Sequence, residues 1–445
     1  MLALALRSVR KRPGRFFATL LAAFLGAGVT MTFNSLRDTA GAAGVDKASA
    51  DSLTTISTVV GGYGTLLVFF AIASTLTINV RQRASEMHLL RSTGATPAQI
   101  KRMVVGEAAL VALLGTVLAI GPAMLGGRVL LDMFKDSGQI SDGVSYTFGS
   151  FALTAGLLTN LVAGIGAAFL AVRRATRAEA GGRAPRTRLR TVGGALALIA
   201  GVGGVTTTFA MDADEPGLMA SPAYGAILIS VGFATLSPAL LRSLLGRLGR
   251  PIAALAGAGG YMAVENMRKR AAQLSGILMP LIMFTAVATA TLYMQGVENS
   301  ALDAAGVTQT TEDKNLQTLN LVVVGIIAAF ACLMLINSLY AATSYRGPEF
   351  GRQRLAGSTP RQVLATVATE GVVLSVTGLF FGTVAALAGI IPFTMVRTDA
   401  TLPDQGPGIW LAVAGIGAAA TLVTGLVTTR RALHTPAVSA VAVAA

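Results

Sequence analysis

Ten apolar runs divide this chain, each about 20 residues long or longer. They fall at about 14–36, 54–80, 103–131, 149–172, 192–210, 221–241, 273–295, 317–341, 363–396 and 409–430. A helix needs roughly 20 residues to cross the hydrocarbon of a bilayer. Lipid offers no hydrogen bonds, so a spanning segment must satisfy its own backbone. The expectation is an all-α polytopic membrane protein of ten transmembrane helices. The rest of the composition agrees: 53% of residues are hydrophobic, 13% are charged, and the mean hydropathy is +0.66. The first run is longer than a signal-peptide core and reads as a retained span.

The net charge of +14 raises the question of nucleic acid, and the placement of the charge answers it. Most of the Lys and Arg residues lie on one set of alternating loops or just inside the flanking helix ends. Most of the acidic residues lie on the other set. That is the asymmetry of a cytoplasmic face, with both termini on it, and no nucleic-acid partner is expected. Arg outnumbers Lys and Ala and Gly abound, the usage of GC-rich bacteria, so a bacterial plasma membrane is the expected location. The single cysteine, Cys332, precludes an intrachain disulfide, and His88 and His434 stand far apart on basic segments. No metal site is expected.

One stretch occurs twice. Residues 81–107 and 344–370 align at an offset of 263 positions. Arg83 pairs with Arg346, Glu86 with Glu349, Arg91 with Arg354, Gly94 with Gly357, Thr96 with Thr359, Pro97 with Pro360, Gln99 with Gln362 and Glu107 with Glu370. The flanks repeat too. Arg10-Lys11-Arg12 has a counterpart in Arg268-Lys269-Arg270, and Arg173-Arg174 in Arg430-Arg431. Spans one to four therefore recur as spans seven to ten in parallel orientation, a 4+2+4 plan. The divisions are 1–180 for the first half, 181–256 for a basic linker and two connecting spans, and 257–445 for the second half. Residues 1–13 and 257–272 read as short amphipathic basic elements ahead of spans one and seven. The linker at 173–190 is expected to attract anionic headgroups. Spans five and six have no counterpart and are expected at the periphery. The outer loops, about 37–53, 132–148, 211–220, 296–316 and 397–408, are too short to hold a domain.

Each copy of the repeat spells a helix, a tight turn and a second helix. Gly94 and Gly357 suit the left-handed residue that ends a helix. Thr96-Pro97-Ala98-Gln99 and Thr359-Pro360-Arg361-Gln362 are capping boxes with Pro at the first helical position. The result is an elbow leading into span three or span nine. Turn chemistry explains the Gly and the Thr-Pro, but not why Glu and Arg recur at the same offsets. Glu107 and Glu370 stand at the start of those spans, where an unpaired carboxylate is costly. They either snorkel to the interface or link elbow to span through Arg83 and Arg346. Gly115-x-x-x-Ala119 and Gly378-x-x-x-Gly382 are close-packing motifs. Asn34, Asn160, Asn320 and Asn337 read as interhelical hydrogen bonders.

No Gly-Lys dipeptide occurs, so there is no phosphate-binding loop of the Walker type. Neither H-E-x-x-H nor G-x-S-x-G is present, and a non-catalytic subunit is expected. A secondary transporter would need coupling charges at mid-membrane depth, and the spans do not supply them.

The E-x4-R-x2-GA/GS-TP-x-Q…E pattern in both halves, each followed by a glycine-rich span, resembles the FtsX/MacB-type permeases of ABC transporters. The ten-span plan is most similar to the bacitracin-efflux-type members. The resemblance implies ATPase coupling at Glu86, Arg91, Gly94, Thr96 and Pro97, and at Glu349, Arg354, Gly357, Thr359 and Pro360. It implies two copies of a separate ATPase subunit on the cytoplasmic side, with ATP and Mg on that partner and no cofactor here. Two departures stand out. Members of these groups carry a large exterior domain after the first span or between spans seven and eight, and this chain has only short loops there. The expected function is export of a hydrophobic small molecule, lipid or peptide. The alternative is mechanotransmission that regulates a cell-wall enzyme or a sensor kinase.

Overall fold

A peptide group left unpaired in hydrocarbon costs several kcal/mol, and the apolar runs meet that demand as long helices. The computed structural model describes residues 13–54, 56–58, 61, 89–90, 92–136, 138, 140–179, 186–213, 218–304 and 346–442. Among the described residues, the long or fully bounded helices are α1 (Pro13–Ala40), α2 (Pro97–Asp136), α3 (Ser150–Glu179), α4 (Arg186–Thr206), α5 (Ala220–Ala304), α6 (Gly347–Leu355), α7 (Pro360–Thr398), α8 (Gly408–Leu433) and α9 (Ala437–Ala442). A 3-10 turn follows at Thr207–Ala210, and further helical residues lie at 47–54, 56–58, 61, 89–90 and 92. No strand occurs among the described residues. Eight segments there are long and apolar enough to cross a membrane, two of them within α5. The runs expected at about 54–80 and 317–341 lie largely or wholly outside the described residues. The described residues fall into two compact units, 13–179 and 186–304 with 346–442.

In the first unit α1, α2 and α3 pack through small residues and turn large ones outward. Leu113, Leu114, Val117, Leu118 and Leu125 of α2 are exposed, while Ala112, Ala119 and Ala123 are buried. That is the sidedness of a helix solvated by lipid. Gly115 lets the backbones of α2 and α1 approach: a Cβ there would lie 2.7 Å from that of Ala23. Asn160 of α3 donates to the Ala23 carbonyl (2.8 Å) and to Thr116 Oγ1 (2.9 Å), joining all three helices. Asn34, by contrast, donates to the Thr30 carbonyl of its own helix. At the end remote from the elbow, Phe33, Leu36, Leu53, Leu130, Leu131, Phe134, Ile140 and Val144 form an apolar cluster. There Asp38 accepts from the first backbone amides of α3, Phe151 N (3.2 Å) and Ala152 N (2.8 Å).

The second unit is built on α5 and α7. At Gly257 the backbone takes φ 58, ψ −144 and breaks α5 into two arms. The arms run antiparallel: Arg268 Nη2 donates to the Leu245 carbonyl (2.7 Å), and the Cβ position of Gly249 lies 3.0 Å from Val264 Cγ1. Residues 257–272 are thus one arm of a helical hairpin, continuous with span seven, and not the short separate element expected. Leu241, Leu245, Ala263, Val264, Met267 and Ala271 fill the contact between the arms and continue into Leu278, Leu281 and Leu374.

The Gly378-x-x-x-Gly382 motif of α7 receives α5, Gly378 facing Leu281 and Gly382 facing Thr285. Of the two connecting spans, α4 exposes Val192, Leu196, Ile199 and Val202, as a peripheral helix does. Span six does not match its expected place. Its Pro222 carbonyl lies 2.8 Å from the Cβ position of Gly389 on α7, and Phe233 packs on Phe381 with ring centroids 5.2 Å apart. The glycine removes the side chain that would keep the two backbones apart, so span six seats against span nine. Far from the elbow, Arg397 of α7 forms two hydrogen bonds to Glu298 of α5 (2.9 and 3.0 Å) and a third to the Ala213 carbonyl (3.2 Å).

Candidate functional site: the elbows and their charge network

Both elbows follow their local sequence. Gly94 has φ 94 and Gly357 has φ 98. In the first, Ala95 N donates to the Leu90 carbonyl (2.9 Å); in the second, Ser358 N donates to the Gln353 carbonyl (2.9 Å). These are the same six-residue closing bonds of a helix that ends on a left-handed glycine. The capping boxes are reciprocal. Thr96 N donates to Gln99 Oε1 (2.9 Å) and Gln99 N to Thr96 Oγ1 (3.3 Å). Thr359 N donates to Gln362 Oε1 (2.8 Å) and Gln362 N to Thr359 Oγ1 (3.3 Å). Pro97 and Pro360 open α2 and α7. Glu86 and Arg91 lie outside the described residues, as does Arg83. Glu107 is buried, 2% exposed, on α2.

The second elbow is described from Arg346 onward. Phe350 of α6 is buried with Val363 and Val367 of α7, against Ala432 and Leu433 of α8. Arg346, just before α6, is 6% exposed. Its guanidinium donates through Nη1 and Nη2 to both oxygens of Glu370, the second at 2.9 Å. It also donates through Nε and Nη2 to Glu349 (3.1 Å each). Arg270, from the hairpin arm of α5, completes the set with Nη1 2.9 Å from Glu349 Oε2, and Asn266 Nδ2 stands 3.4 Å from Oε1. Two guanidinium groups and two carboxylates thus tie α5, α6 and α7 together.

The electrostatics follow from that arrangement. Burial alone would depress the Arg346 guanidinium, but the charge of Glu370 and the bonds from both carboxylates raise it above its ordinary value. Burial alone would raise the Glu349 carboxyl, but the hydrogen bonds and charge of Arg346, with Arg270 beside it, hold it below the ordinary range. Burial and the nearby charge of Arg346 depress Arg270. Such a cluster resists separation, because parting one member leaves a buried charge unpaired.

Of the residues singled out by sequence, Glu349 therefore faces inward to Arg346 and Arg270. Arg354 turns to the end of α8, donating to the carbonyls of Leu433 (3.1 Å) and Thr435 (2.8 Å). Arg352 and Leu355 are the exposed side chains of α6. Arg270 and Asn266 escaped sequence reasoning. Arg270 stood in a basic triplet, and nothing local marks which member turns inward.

A family model described as the FtsX-like permease C-terminal region matches residues 58–180 and 321–437, more than half the chain. This chain belongs to the FtsX-like permease family. No curated protein matches it. The second matched region begins 263 positions after the first, the offset that superposes the two elbows. The family and the apolar helices make the chain a multi-pass membrane permease component of an ABC transporter, which implies a partner ATPase.

Proposed function

We propose that this permease couples ATP hydrolysis by two copies of a separate ATPase subunit to export of a hydrophobic or amphipathic molecule: an antibiotic, a lipid or a peptide. The ATPases dock from the cytoplasm at 81–97 and 344–360. They carry the ATP and Mg, and this chain does no catalysis. Closure of the ATPases pushes the elbows and tilts the spans joined to them. The observation that carries this reading is the buried network Arg346–Glu370–Glu349–Arg270, which makes α6 inseparable from α5 and α7. With no large outer domain in the sequence, a cargo that partitions into lipid fits best.

The test is co-purification and transport. Replacing Glu86 and Glu349 together with Lys is expected to separate permease from ATPase, in the second elbow by breaking the pairs of Glu349 with Arg346 and Arg270 that set the docking helix. Vesicles holding both subunits are expected to move a fluorescent lipid or lipophilic dye when ATP is supplied. Unchanged co-purification argues against the docking assignment. A second reading, mechanotransmission to a cell-wall enzyme or sensor kinase, draws support from the Glu298–Arg397 clasp, which joins α5 to α7 at the end remote from α6. ATP turnover with no movement across a broad set of lipophilic compounds favours it.

A further inference from the structure

We infer that residues 434–442 are a fixed brace for the second docking helix, and that Arg354 is a positioning residue which holds that helix against the brace. This rests on the docking reading above and deepens it. A helix ends with carbonyls that no later amide satisfies, and α8 ends at Leu433. The amides of His434 and Thr435 turn back to the carbonyls of Arg431 and Ala432, and Arg354 Nη1 bonds the last helical carbonyl, that of Leu433, together with the Thr435 carbonyl just beyond the helix. A cation there also suits the negative end of the helix dipole.

The contact continues one turn earlier on α6. Gly351 is buried under α9, and a Cβ at this position would meet the Ala437 carbonyl at 3.0 Å, Val441 Cγ2 at 3.0 Å and Ala440 Cβ at 3.2 Å. Even a methyl group needs α9 to give by a few tenths of an ångström, and a leucine needs more. The sequence position 263 residues earlier holds His88, so the first copy of the repeat has no glycine there.

The brace decides which face a partner meets. Glu349 is held by Arg346 and Arg270, Phe350 is packed on α7, and Gly351 and Arg354 are held by α8 and α9. Arg352, Leu355 (57% exposed) and, across the turn, Arg361 remain outward. Two cations around an exposed leucine fit an apolar pocket with an acidic rim on the ATPase.

The experiment uses the full chain with its ATPase in lipid nanodiscs and reads hydrogen exchange, ATPase capture and ATP turnover. In the wild type, amides of 437–442 and 347–355 are expected to exchange at least tenfold more slowly than free peptides of the same sequence. Gly351→Leu and Arg354→Ala are expected to remove that protection in both segments and lower coupled turnover about tenfold, with α7 still protected. Arg354→Lys is expected to restore part of the turnover, which loss of folding would not allow. Free-peptide exchange of 437–442 in the wild type overturns the brace. So does wild-type turnover after residues 437–442 are replaced by a Gly-Ser run. Arg352→Glu is expected to weaken ATPase capture. Unchanged capture in that variant, with protection of both segments intact, overturns the docking face and leaves the brace standing.

Discussion

Arg346 and Glu370 lie 24 positions apart and meet as a buried, two-pronged ion pair that fastens the elbow to the helix it feeds. Both side chains are 7% exposed, so their value differs from that of a surface pair. Water cannot take the place of a lost partner.

Glu370→Ala should therefore cost about 3 kcal/mol of stability, the scale for breaking one side of a buried pair. Replacing both members at once, Arg346→Met with Glu370→Leu, should cost less than Glu370→Ala, because no unpaired partner of that pair remains buried and Glu349 keeps Arg270 while losing Arg346, yet should lower ATP-coupled activity. Thermal unfolding in nanodiscs, read beside ATP turnover, separates the two effects. A double variant with wild-type turnover counts against the network as the route of coupling.

The pH response has a definite sign. The Glu349 carboxyl is held below its ordinary value in the folded chain. Its contribution is complete above the ordinary glutamate value of about 4.3. It fades as pH falls from there through the lowered folded value. Stability should drop on acidification in that window, and Glu349→Gln should flatten the drop. Equal acid profiles for the two proteins would contradict the assignment.

Gly94 and Gly357 hold left-handed backbone with nothing within 4 Å of a built Cβ. The penalty for a side chain is thus conformational rather than steric. Gly94→Val or Gly357→Val should cost at least about 1–2 kcal/mol, and Asn at either place should cost less, since it tolerates this region better. Unfolding of the four variants measures the difference directly.

Asp38 caps a helix far away in sequence, so its loss should act on α3. Asp38→Ala should destabilise the chain by about 1 kcal/mol, as for other caps. Gly149→Ala should produce a similar loss, because the added methyl would stand 2.5 Å from Asp38 Oδ1. Hydrogen exchange at Phe151 and Ala152 reads the cap itself.

What could be read from sequence was local. Gly94, Thr96 and Gln99 define a turn within six positions, and Gly357, Thr359 and Gln362 repeat it, so both elbows were legible before any packing was known. Asn160 was legible as an interhelical donor, since an amide in a span needs a partner. Asn34 found one in its own helix, which sequence does not distinguish. The remainder depended on contacts between distant segments. Arg270 joins the charge network because α5 folds back at Gly257. Neighbouring Arg268 instead bonds the Leu245 carbonyl, and the triplet holds no sign of that division. Span six reaches α7 through Gly389 and Pro222, a match of two backbones with no periodic signature. The seat of α9 on Gly351 is of the same kind.

The bond from Glu298 to Arg397 has a mechanical consequence. The seventh and ninth spans are pinned at one extremity by this pair and at the other by Arg270, Glu349, Arg346 and Glu370, with glycine-sized spacing between. Two rods fastened at both ends resist shear more than a common lean. Sliding one past the other would break a charged fastening at one end or the other, whereas a common lean leaves both intact.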